Sequence, residues 1–414
     1  MRAPPQPVAV PFLRFRLTQH PTVLFHAVRK HRHNRHHICK DRIAILTSVI
    51  PSSDSIDWLN FLARLPLPAP SRETISALIQ GPILITGAGG SVGSALAFRL
   101  ASAGAHIILL ESSEGGLFDL QRGVANLASS PCTTFYLGSV ADRSLLDEIF
   151  AIHRPQFVFH AAAFKHVPLI EEQPLAAIAN NIVATQNLVD ASVNHARVIL
   201  LSTDKAVAPA SIMGATKRVA EQIVLISGGT VLRLGNVLAS RGSVTEVFGR
   251  QIAAGLPLTV TDPAARRYFL TIAESVDLLA AAAADPRRPA LFVPLLPAPQ
   301  FISDLARFMA HSMAPDRDAS IEFTFLRAGD KESEQLWSAT ETPHPASANG
   351  LIHLDSPSIA RGQLQSLIAI LRDAVKARDL SAALDAVRVL VPDYTPSNAV
   401  LALRSTEPSQ VSDE

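Results

Sequence analysis

Apolar segments and amphipathic segments alternate regularly between about residues 82 and 235. Apolar runs typical of buried strands stand at 83–86, 106–110, 133–137, 157–160, 197–202 and 230–234. Helical periodicity fills the intervals, at 91–103, 116–128, 142–152, 174–195 and 213–226. This alternation predicts a parallel sheet covered by helices on both faces, so the expected fold class is α/β, a Rossmann-like doubly wound sheet.

The remaining pattern divides the chain into further regions. We expect a basic, disordered leader at 1–57, a helical linker at 58–81, the sheet domain at 82–235 with 270–295 returning to it, a smaller C-terminal lobe at 236–269 and 296–345, and a helical extension and tail at 346–414. Within the tail, 356–391 has helical periodicity and 395–414 is expected to be disordered.

Composition excludes several functional classes. The chain has 414 residues, 48% of them apolar, and a net charge of +1, which argues against nucleic acid as a partner. No apolar stretch is long enough for a transmembrane segment, and Cys39 and Cys132 lie too far apart in sequence to suggest a disulfide framework. We therefore expect a cytoplasmic protein. His33 and His37 could bind a metal, but a solvated basic tail is the favoured interpretation, so no metal is predicted.

A glycine-rich turn follows the first predicted strand, in the sequence ILITGAGGSVG. A strand, a tight glycine turn and a helix N-terminus together form a site for a pyrophosphate group, whereas a purely structural turn is the less favoured alternative. The second strand ends in Glu111, 18 residues beyond Gly93, close to where an acid binds ribose hydroxyls. The predicted dinucleotide-binding residues are Gly87, Gly89, Gly90, Ser91, Val92, Gly93, Glu111, Ala161 and Ala162, with Lys217 from a later helix.

Polar residues also follow the strand at 197–202. Asp204 could act as an acid, and Lys205 as a base if burial favours its neutral amine, although a helix cap or a surface ion pair would explain them equally well in isolation. Met213 and Lys217 lie one helical turn apart. Short-chain dehydrogenases carry tyrosine and lysine at this spacing, so Met213 alone would indicate a lost dehydrogenase or a packing side chain.

Longer motifs extend these local signals. They are TGAGGSVGSAL (86–96), FHAAAFKHVPLIEEQP (159–174), NNIVATQN (180–187), LLSTDKAVAPASIMGATKRVAE (200–221), RLGNVLASRGSVTEVFGRQIAAGLPLTVT (233–261), RRYFLTIAES (266–275), LRAGDKESEQL (326–336) and LVPDYTPS (390–397). With them the chain resembles the CapD-like polysaccharide-biosynthesis family, nucleotide-sugar 4,6-dehydratases of the extended short-chain dehydrogenase/reductase superfamily. The resemblance covers about 58–397, without the membrane region of the long members. Methionine at position 213 matches the membrane-anchored branch of that family.

The resemblance implies NAD as cofactor, a UDP-N-acetylhexosamine as substrate and a homo-oligomer. Its implied catalytic residues are Thr203, Asp204, Lys205, Met213 and Lys217. The implied substrate-binding residues of the smaller lobe and its surroundings are Lys165, His166, Asn236, Arg241, Ser243, Arg267 and Arg327. A structural role for His166 is an equal alternative, and Glu171, Glu172 and Glu221 are expected to be solvated helix charges.

Two other functions stay open at this point. A nucleotide-sugar 4-epimerase would need the same cofactor without the Asp204–Lys205 pair. A non-catalytic nucleotide-sugar-binding paralogue would retain only the fold, and its support is a set of departures from the family pattern, such as PLLPAP at 294–299.

Overall fold

The structure is a computed structural model that describes residues 56–127, 132–193 and 195–405. Residues 1–55 of the predicted leader, with His33, His37 and Cys39, lie outside these residues, whereas Ile56 is buried in the core of the smaller lobe. Among the helices of the described part, none combines the length and apolar character needed to cross a membrane.

The described residues form a nine-stranded sheet and three small two-stranded sheets. The strands are β1 (Ile83–Thr86), β2 (Ile107–Glu111), β3 (Thr133–Leu137), β4 (Phe157–His160), β5 (Arg197–Thr203), β6 (Thr230–Leu234), β7 (Asn236–Val237), β8 (Leu258–Val260), β9 (Arg266–Arg267), β10 (Phe269–Leu270), β11 (Ala290–Pro294), β12 (Gln300–Phe301), β13 (Ile321–Phe323), β14 (Thr342–Pro343) and β15 (Leu351–Asp355). The large sheet has the order β14-β15-β11-β6-β5-β4-β1-β2-β3. Strands from β11 to β3 in this order pair in parallel, and β15 and β14 extend the edge in antiparallel pairing.

The described residues form fifteen α-helices, most of which cover the two faces of this sheet. They are α1 (Trp58–Leu62), α2 (Arg72–Leu78), α3 (Ser91–Ser102), α4 (Glu114–Ala125), α5 (Arg143–His153), α6 (Val167–Glu172), α7 (Pro174–Ala177), α8 (Ala184–Ser192), α9 (Ile212–Ile226), α10 (Val244–Ala254), α11 (Ile272–Ala284), α12 (Ile302–Met313), α13 (Arg361–Ala377), α14 (Leu380–Leu390) and α15 (Asn398–Ser405). A π-helix (Ile178–Val183) joins α7 to α8, and a 3₁₀ turn (Asp204–Ala206) follows β5. The doubly wound α/β fold predicted from the alternation is therefore confirmed.

Strand periodicity divides the core into two layers. In β1, Ile83 and Ile85 pack with α2, α3 and α11 on one face, and Leu84 packs with α5, α9 and α13 on the other. Both faces are apolar because helices cover both of them, which is why the strands stand in the sequence as continuous apolar runs.

A separate apolar cluster forms the smaller lobe, from α10, α12, β8 and the β7–β10 pair. The N-terminal helix α1 joins this cluster, since the ring of Phe61 lies 5.7 Å from Phe269 and 5.3 Å from Phe308, centroid to centroid. The segment predicted as a linker thus contributes part of the core of the second lobe.

The C-terminal part differs from the sequence expectation in two places. Residues 351–355 form β15 of the main sheet, next to the edge strand β14, and 398–405 form α15 where the sequence predicts disorder. The α15 segment is ordered because Val400 is fully buried in the main core and the Ser397 hydroxyl donates to the carboxylate of Glu171. Both errors concern short segments whose order depends on distant packing partners.

A buried ion cluster also contradicts the sequence analysis. The guanidinium group of Arg233 is fully buried between the carboxylates of Glu221 and Glu341, at 2.7 and 2.8 Å. Glu171 is buried as well and accepts from the backbone amide of Ile212 at 2.8 Å. Glu171 and Glu221 are therefore wrongly predicted as solvated, because their partners lie far away along the chain, whereas Glu172 is exposed.

We predict that Glu341→Ala destabilises the fold by about 3–5 kcal/mol, because it leaves the buried Arg233 charge partly unpaired. Burial alone would raise the pKa of Glu341, but hydrogen bonds and charges from Arg233 and Arg218 hold that pKa well below its usual range. Its contribution is therefore present at neutral pH and is lost as the pH falls through the acidic range. Denaturant unfolding measures the change, and Arg307→Ala, which breaks an exposed pair with Asp304, should change stability by less than about 1 kcal/mol.

Candidate cofactor and catalytic site

A cavity of about 630 Å³ opens at the carboxyl ends of the central strands. It lies where the strand order reverses, between β1 and β4, which is the usual position of ligand sites in open α/β sheets. Its walls include the glycine turn after β1, the segment after β4, the end of β5 and the start of α10.

The glycine turn is shaped by two positions that exclude a side chain. Gly87 has φ +65°, and a Cβ atom at Gly93 would lie 2.2 Å from the carbonyl oxygen of Gly87. Helix α3 begins directly after Gly90, and no side chain caps its N-terminus. The first amide groups of α3 are thus free to bind an anion, which fits the pyrophosphate of a dinucleotide.

Glu111 lies at the end of β2 and its carboxylate is held by the backbone. It accepts from the amide of Gly89 at 2.8 Å and from the amide of Ser113 at 2.9 Å. Each carboxylate oxygen retains acceptor capacity for a ribose hydroxyl. The glycine turn and Glu111, both predicted to bind the dinucleotide, therefore lie side by side in the fold.

Thr203, Asp204 and Lys205 meet at the end of β5. Asp204 is fully buried, and its Oδ1 accepts from the Thr203 hydroxyl and from Lys205 Nζ, both at 3.0 Å. Asp204 Oδ2 has no hydrogen-bond partner among the described residues. Burial raises the pKa of Asp204, the Lys205 charge opposes this, and the Glu334 charge adds to it. Asp204 Oδ2 can therefore carry a proton. Its neighbours Thr203 and Lys205 line the cavity.

Glu334 is a member of this cluster that the sequence analysis missed. It is buried, and its carboxylate lies 3.7 Å from Lys205 Nζ. Burial alone would raise the pKa of Glu334, but the charges of Lys205 and Lys331 lower it. The segment DKESEQ offers no periodicity that marks one of its charges as buried, so only its position inside a family-like motif could have drawn attention to it.

Helix α9 brings Met213 and Lys217 to the cavity wall. A Cβ atom at Gly214 would lie 2.2 Å from the carbonyl oxygen of Lys205. Glycine therefore permits α9 to pack directly on the 3₁₀ turn Asp204–Ala206, called the catalytic turn below for the acid–base pair proposed there. Lys217 Nζ donates to the carbonyl of Leu201 at 2.8 Å, and burial lowers the pKa of Lys217 to about 8. Met213 is buried and carries no exchangeable proton.

His160 is a second residue that the sequence analysis did not single out. Its ring lies between the hydroxyl groups of Thr86 and Thr185, at 2.7 and 2.9 Å. Burial lowers the pKa of His160 to about 3, helped by the charge of Lys217, so the ring is neutral at physiological pH.

Most of the predicted substrate residues surround the same cavity. Lys165, His166, Asn236 and Ser243 line it, and Asn236 Oδ1 accepts from Lys205 Nζ at 2.9 Å. Arg241 lies across the glycine turn, where its backbone amide donates to the Ser91 hydroxyl at 2.9 Å and its side chain donates to the carbonyl of Gly89 at 3.0 Å. Of the predicted cofactor residues at the end of β4, Ala161 lines the cavity.

Three predicted substrate residues lie outside the cavity lining: Arg241, whose contacts are with the glycine turn, and two further arginines. The guanidinium group of Arg267 donates to the carbonyls of Arg266, Lys331 and Glu332. Arg327 is exposed and pairs with Asp330 at 3.1 Å. The structure therefore brings most of the predicted residues together, and the direct substrate contact of Arg267 and Arg327 stays a prediction.

The fold and the site define a class. A Rossmann-like sheet with a second lobe over the carboxyl ends of the strands is the architecture of the extended short-chain dehydrogenases/reductases. Among solved structures, Pen from Bacillus thuringiensis matches with a TM-score of 0.62 and 24% identity, over 71% of this chain and 98% of its own. DesIV, a dTDP-glucose 4,6-dehydratase from Streptomyces venezuelae, matches with a TM-score of 0.55 and 19% identity, over 61% of this chain and 87% of its own.

The chain belongs to the family described as polysaccharide biosynthesis protein, whose profile matches residues 83–355. A probable polysaccharide biosynthesis protein of Bacillus subtilis, EpsC, is 37% identical over 68% of this chain and 49% of its own length. The capsular polysaccharide biosynthesis protein CapD of Staphylococcus aureus is 35% identical over 69% and 50%. The chain thus spans about half the length of these relatives. A UDP-glucose 4-epimerase of Rickettsia rickettsii is 36% identical over 64% of this chain and 79% of its own length.

We predict that Gly93→Ala weakens NAD binding at least about tenfold, a loss of about 1.4 kcal/mol, because the new methyl group would displace the Gly87 carbonyl. Fluorescence titration with NADH measures the affinity. Gly362→Ala in α13 is the control, since a Cβ atom there meets nothing within 4 Å. Unchanged affinity in Gly93→Ala would contradict the assignment of this turn.

Proposed function

We propose that this protein is an NAD-dependent 4,6-dehydratase that converts a UDP-N-acetylhexosamine to a 4-keto-6-deoxy sugar. The observation that carries the proposal is the fully buried Asp204, whose carboxylate accepts from Lys205 on the cavity wall. Loss of water from carbons 5 and 6 needs one group that removes a proton and one that donates a proton, and this pair supplies both. Membership of a polysaccharide biosynthesis family supports a sugar substrate.

NAD fits the residues of the glycine turn and Glu111. When bound, NAD would oxidise carbon 4 of the sugar and return the same hydrogen to carbon 6, so that no net oxidation occurs. The free amides of α3 would hold its pyrophosphate, and Lys217 would lie near the nicotinamide ribose. The carboxylate of Glu111 would repel the 2′-phosphate of NADP, which favours NAD.

Lys205 and Asp204 divide the proton transfers between them. Oxidation at carbon 4 releases the proton of its hydroxyl group to solvent, because Met213 cannot accept it. Once carbon 4 is a ketone, the proton on carbon 5 is acidic, and the amine of Lys205 takes it. Protonated Asp204 supplies the proton for the hydroxyl that leaves carbon 6 as water, and it regains a proton from solvent. Lys205 returns a proton to carbon 5 when the hydrogen is returned to carbon 6. During water loss a positive charge forms on Lys205 and a negative charge on Asp204, whose atoms lie 3.0 Å apart, so the charges form beside each other. Thr203, which lines the cavity wall, would hydrogen-bond the oxygen on carbon 4.

An epimerase is the second candidate, because several relatives about 36% identical carry the name UDP-glucose 4-epimerase. An epimerase needs no acid–base pair for carbons 5 and 6. Both reactions begin with oxidation at carbon 4 and need an acceptor other than Met213 for that hydroxyl proton, so this requirement does not separate them. The Asp204–Lys205 pair, which only dehydration uses, favours dehydration over epimerisation and over a purely binding role.

The decisive experiment follows two labels through the reaction. We expect UDP-N-acetylglucosamine deuterated at carbon 4 to give a product that is lighter by one water and carries deuterium at carbon 6. In heavy water, one solvent deuterium should enter at carbon 5 through Lys205. Mass spectrometry and proton NMR measure both. Label that stays at carbon 4 of an intact hexose would establish the epimerase instead, and no conversion across a panel of UDP-sugars would favour a binding role.

We predict that Lys205→Ala and Asp204→Asn each lower the rate of water loss about 10²–10⁴-fold, because each removes one of the two proton-transfer groups. NAD affinity should remain within about twofold, since neither side chain belongs to the glycine turn. Met213→Leu is the matched control in the same cavity and should retain most of the activity. Near-normal turnover in either of the first two variants would show that the assigned roles are wrong.

A further inference from the structure

Glu334 approaches the catalytic pair from outside the sheet domain. Its side chain is about 2% exposed, and its Oε1 lies 3.7 Å from Lys205 Nζ. Its second oxygen, Oε2, lies 2.6 Å from Lys331 Nζ. A carboxylate so deeply buried is costly unless nearby charges compensate it, and here two lysines do so.

The segment that carries Glu334 is fixed to the second lobe by backbone contacts. Arg267 donates from its two terminal nitrogens to the carbonyls of Lys331 and Glu332, at 2.8 and 3.0 Å. The amide of Arg266 donates to the carbonyl of Glu332 at 2.8 Å. Lys331 in turn donates to the carbonyl of Val207, immediately after the catalytic turn, at 3.0 Å. The segment is therefore held at both the lobe and the catalytic turn.

From this geometry we propose that Glu334 is a positioning residue for the reaction, which holds Lys205 beside Asp204 and links the acid–base pair to the second lobe. The inference rests on the proposed dehydratase function. It gives Arg267 a role as well, since Arg267 fixes the segment from which Glu334 reaches the pair.

The charges explain why a carboxylate is useful at this place. Glu334 and Lys331 carry opposite charges and lie in contact, so they leave no net charge buried beside the protonated Asp204. When Lys205 gains the proton from carbon 5, Glu334 stabilises the new ammonium group. The same negative charge disfavours ionisation of Asp204 and so preserves its proton.

The charged and titratable groups around this cluster are few in the described part of the chain. Lys205, Lys331 and the guanidinium of Arg267 act on Glu334, and Lys205 and Glu334 act on Asp204. Burial raises the pKa of Tyr268, and the charge of Asp204 adds to this, so Tyr268 is neutral near pH 7. Replacing Glu334 by glutamine removes a negative charge that raises the pKa of Asp204, so that pKa falls.

The test compares Glu334→Gln with Glu334→Asp and with Glu332→Gln, an exposed carboxylate of the same segment. We expect Glu334→Gln to lower kcat about tenfold or more, with little change in KM or NAD affinity. The alkaline limb of its kcat–pH profile should move to lower pH, because Asp204 loses its proton sooner. Glu334→Asp, which retains the charge, should restore part of kcat, and Glu332→Gln should behave as the parent protein does.

A second measurement does not depend on turnover. Carbon-13 NMR of protein labelled at the aspartate carboxyl carbons, with Asp204→Asn to assign the signal, gives the titration of Asp204 directly. A lower titration midpoint in Glu334→Gln supports the inference even if the substrate differs from the one proposed. An unchanged midpoint together with an unchanged kcat–pH profile would overturn it, as would an equal effect of Glu332→Gln. Failure of the parent protein to release water would count against the proposed function, and the NMR titration would then decide the role of Glu334 on its own.

Discussion

The buried charge of Arg233 is the constraint on which the site's geometry depends. Arg233 lies on strand β6, has no exposed surface, and is satisfied by Glu221 of α9 and by Glu341 of the segment after Glu334. Glu221 also accepts from the hydroxyl of Ser202 in β5, two residues before Asp204. The charge of Arg233 therefore fixes the positions of three elements. They are β5, the helix α9 that carries Lys217, and the segment that follows Glu334. Removing any one partner would leave charge in the core with no solvent to stabilise it.

The dinucleotide half of the site and the half around Asp204 and Lys205 require different structural features. The dinucleotide half needs backbone amides and empty space, and glycines provide both at Gly87 and Gly93. The catalytic half, named for its proposed acid–base pair, contains two buried carboxylates whose pKa values shift in opposite directions. Burial raises the pKa of Asp204, whereas the charges of Lys205 and Lys331 lower the pKa of Glu334 against the effect of burial. Gly214 connects the halves, since α9 can pack against the carbonyl of Lys205 only without a side chain there.

The second lobe contacts both the glycine turn and the surroundings of the Asp204–Lys205 pair. The sequence analysis expects Arg267 to contact the nucleotide diphosphate, yet its side chain is occupied by backbone carbonyls of the segment that carries Glu334. In the same lobe Arg241 contacts the glycine turn. Both the cofactor half and the catalytic half of the site therefore depend on contacts across the boundary between the lobes.

Local periodicity and local backbone chemistry are enough to predict much of this protein from its amino-acid order. The strand–helix alternation, the glycine turn before α3 and the placement of Glu111, Asp204 and Lys205 at strand ends all follow from residues close together in the chain, and the structure contains them. Which charges are buried follows from the three-dimensional packing alone, because burial depends on partners distant in sequence. Glu221 and Glu171 have the sequence context of ordinary helix charges, Glu334 stands in a run of polar residues, and α15 is ordered by contacts with α6 and the main core. The burial of these three carboxylates and the order of α15 depend on the long-range packing of α/β layers, which local patterns do not encode.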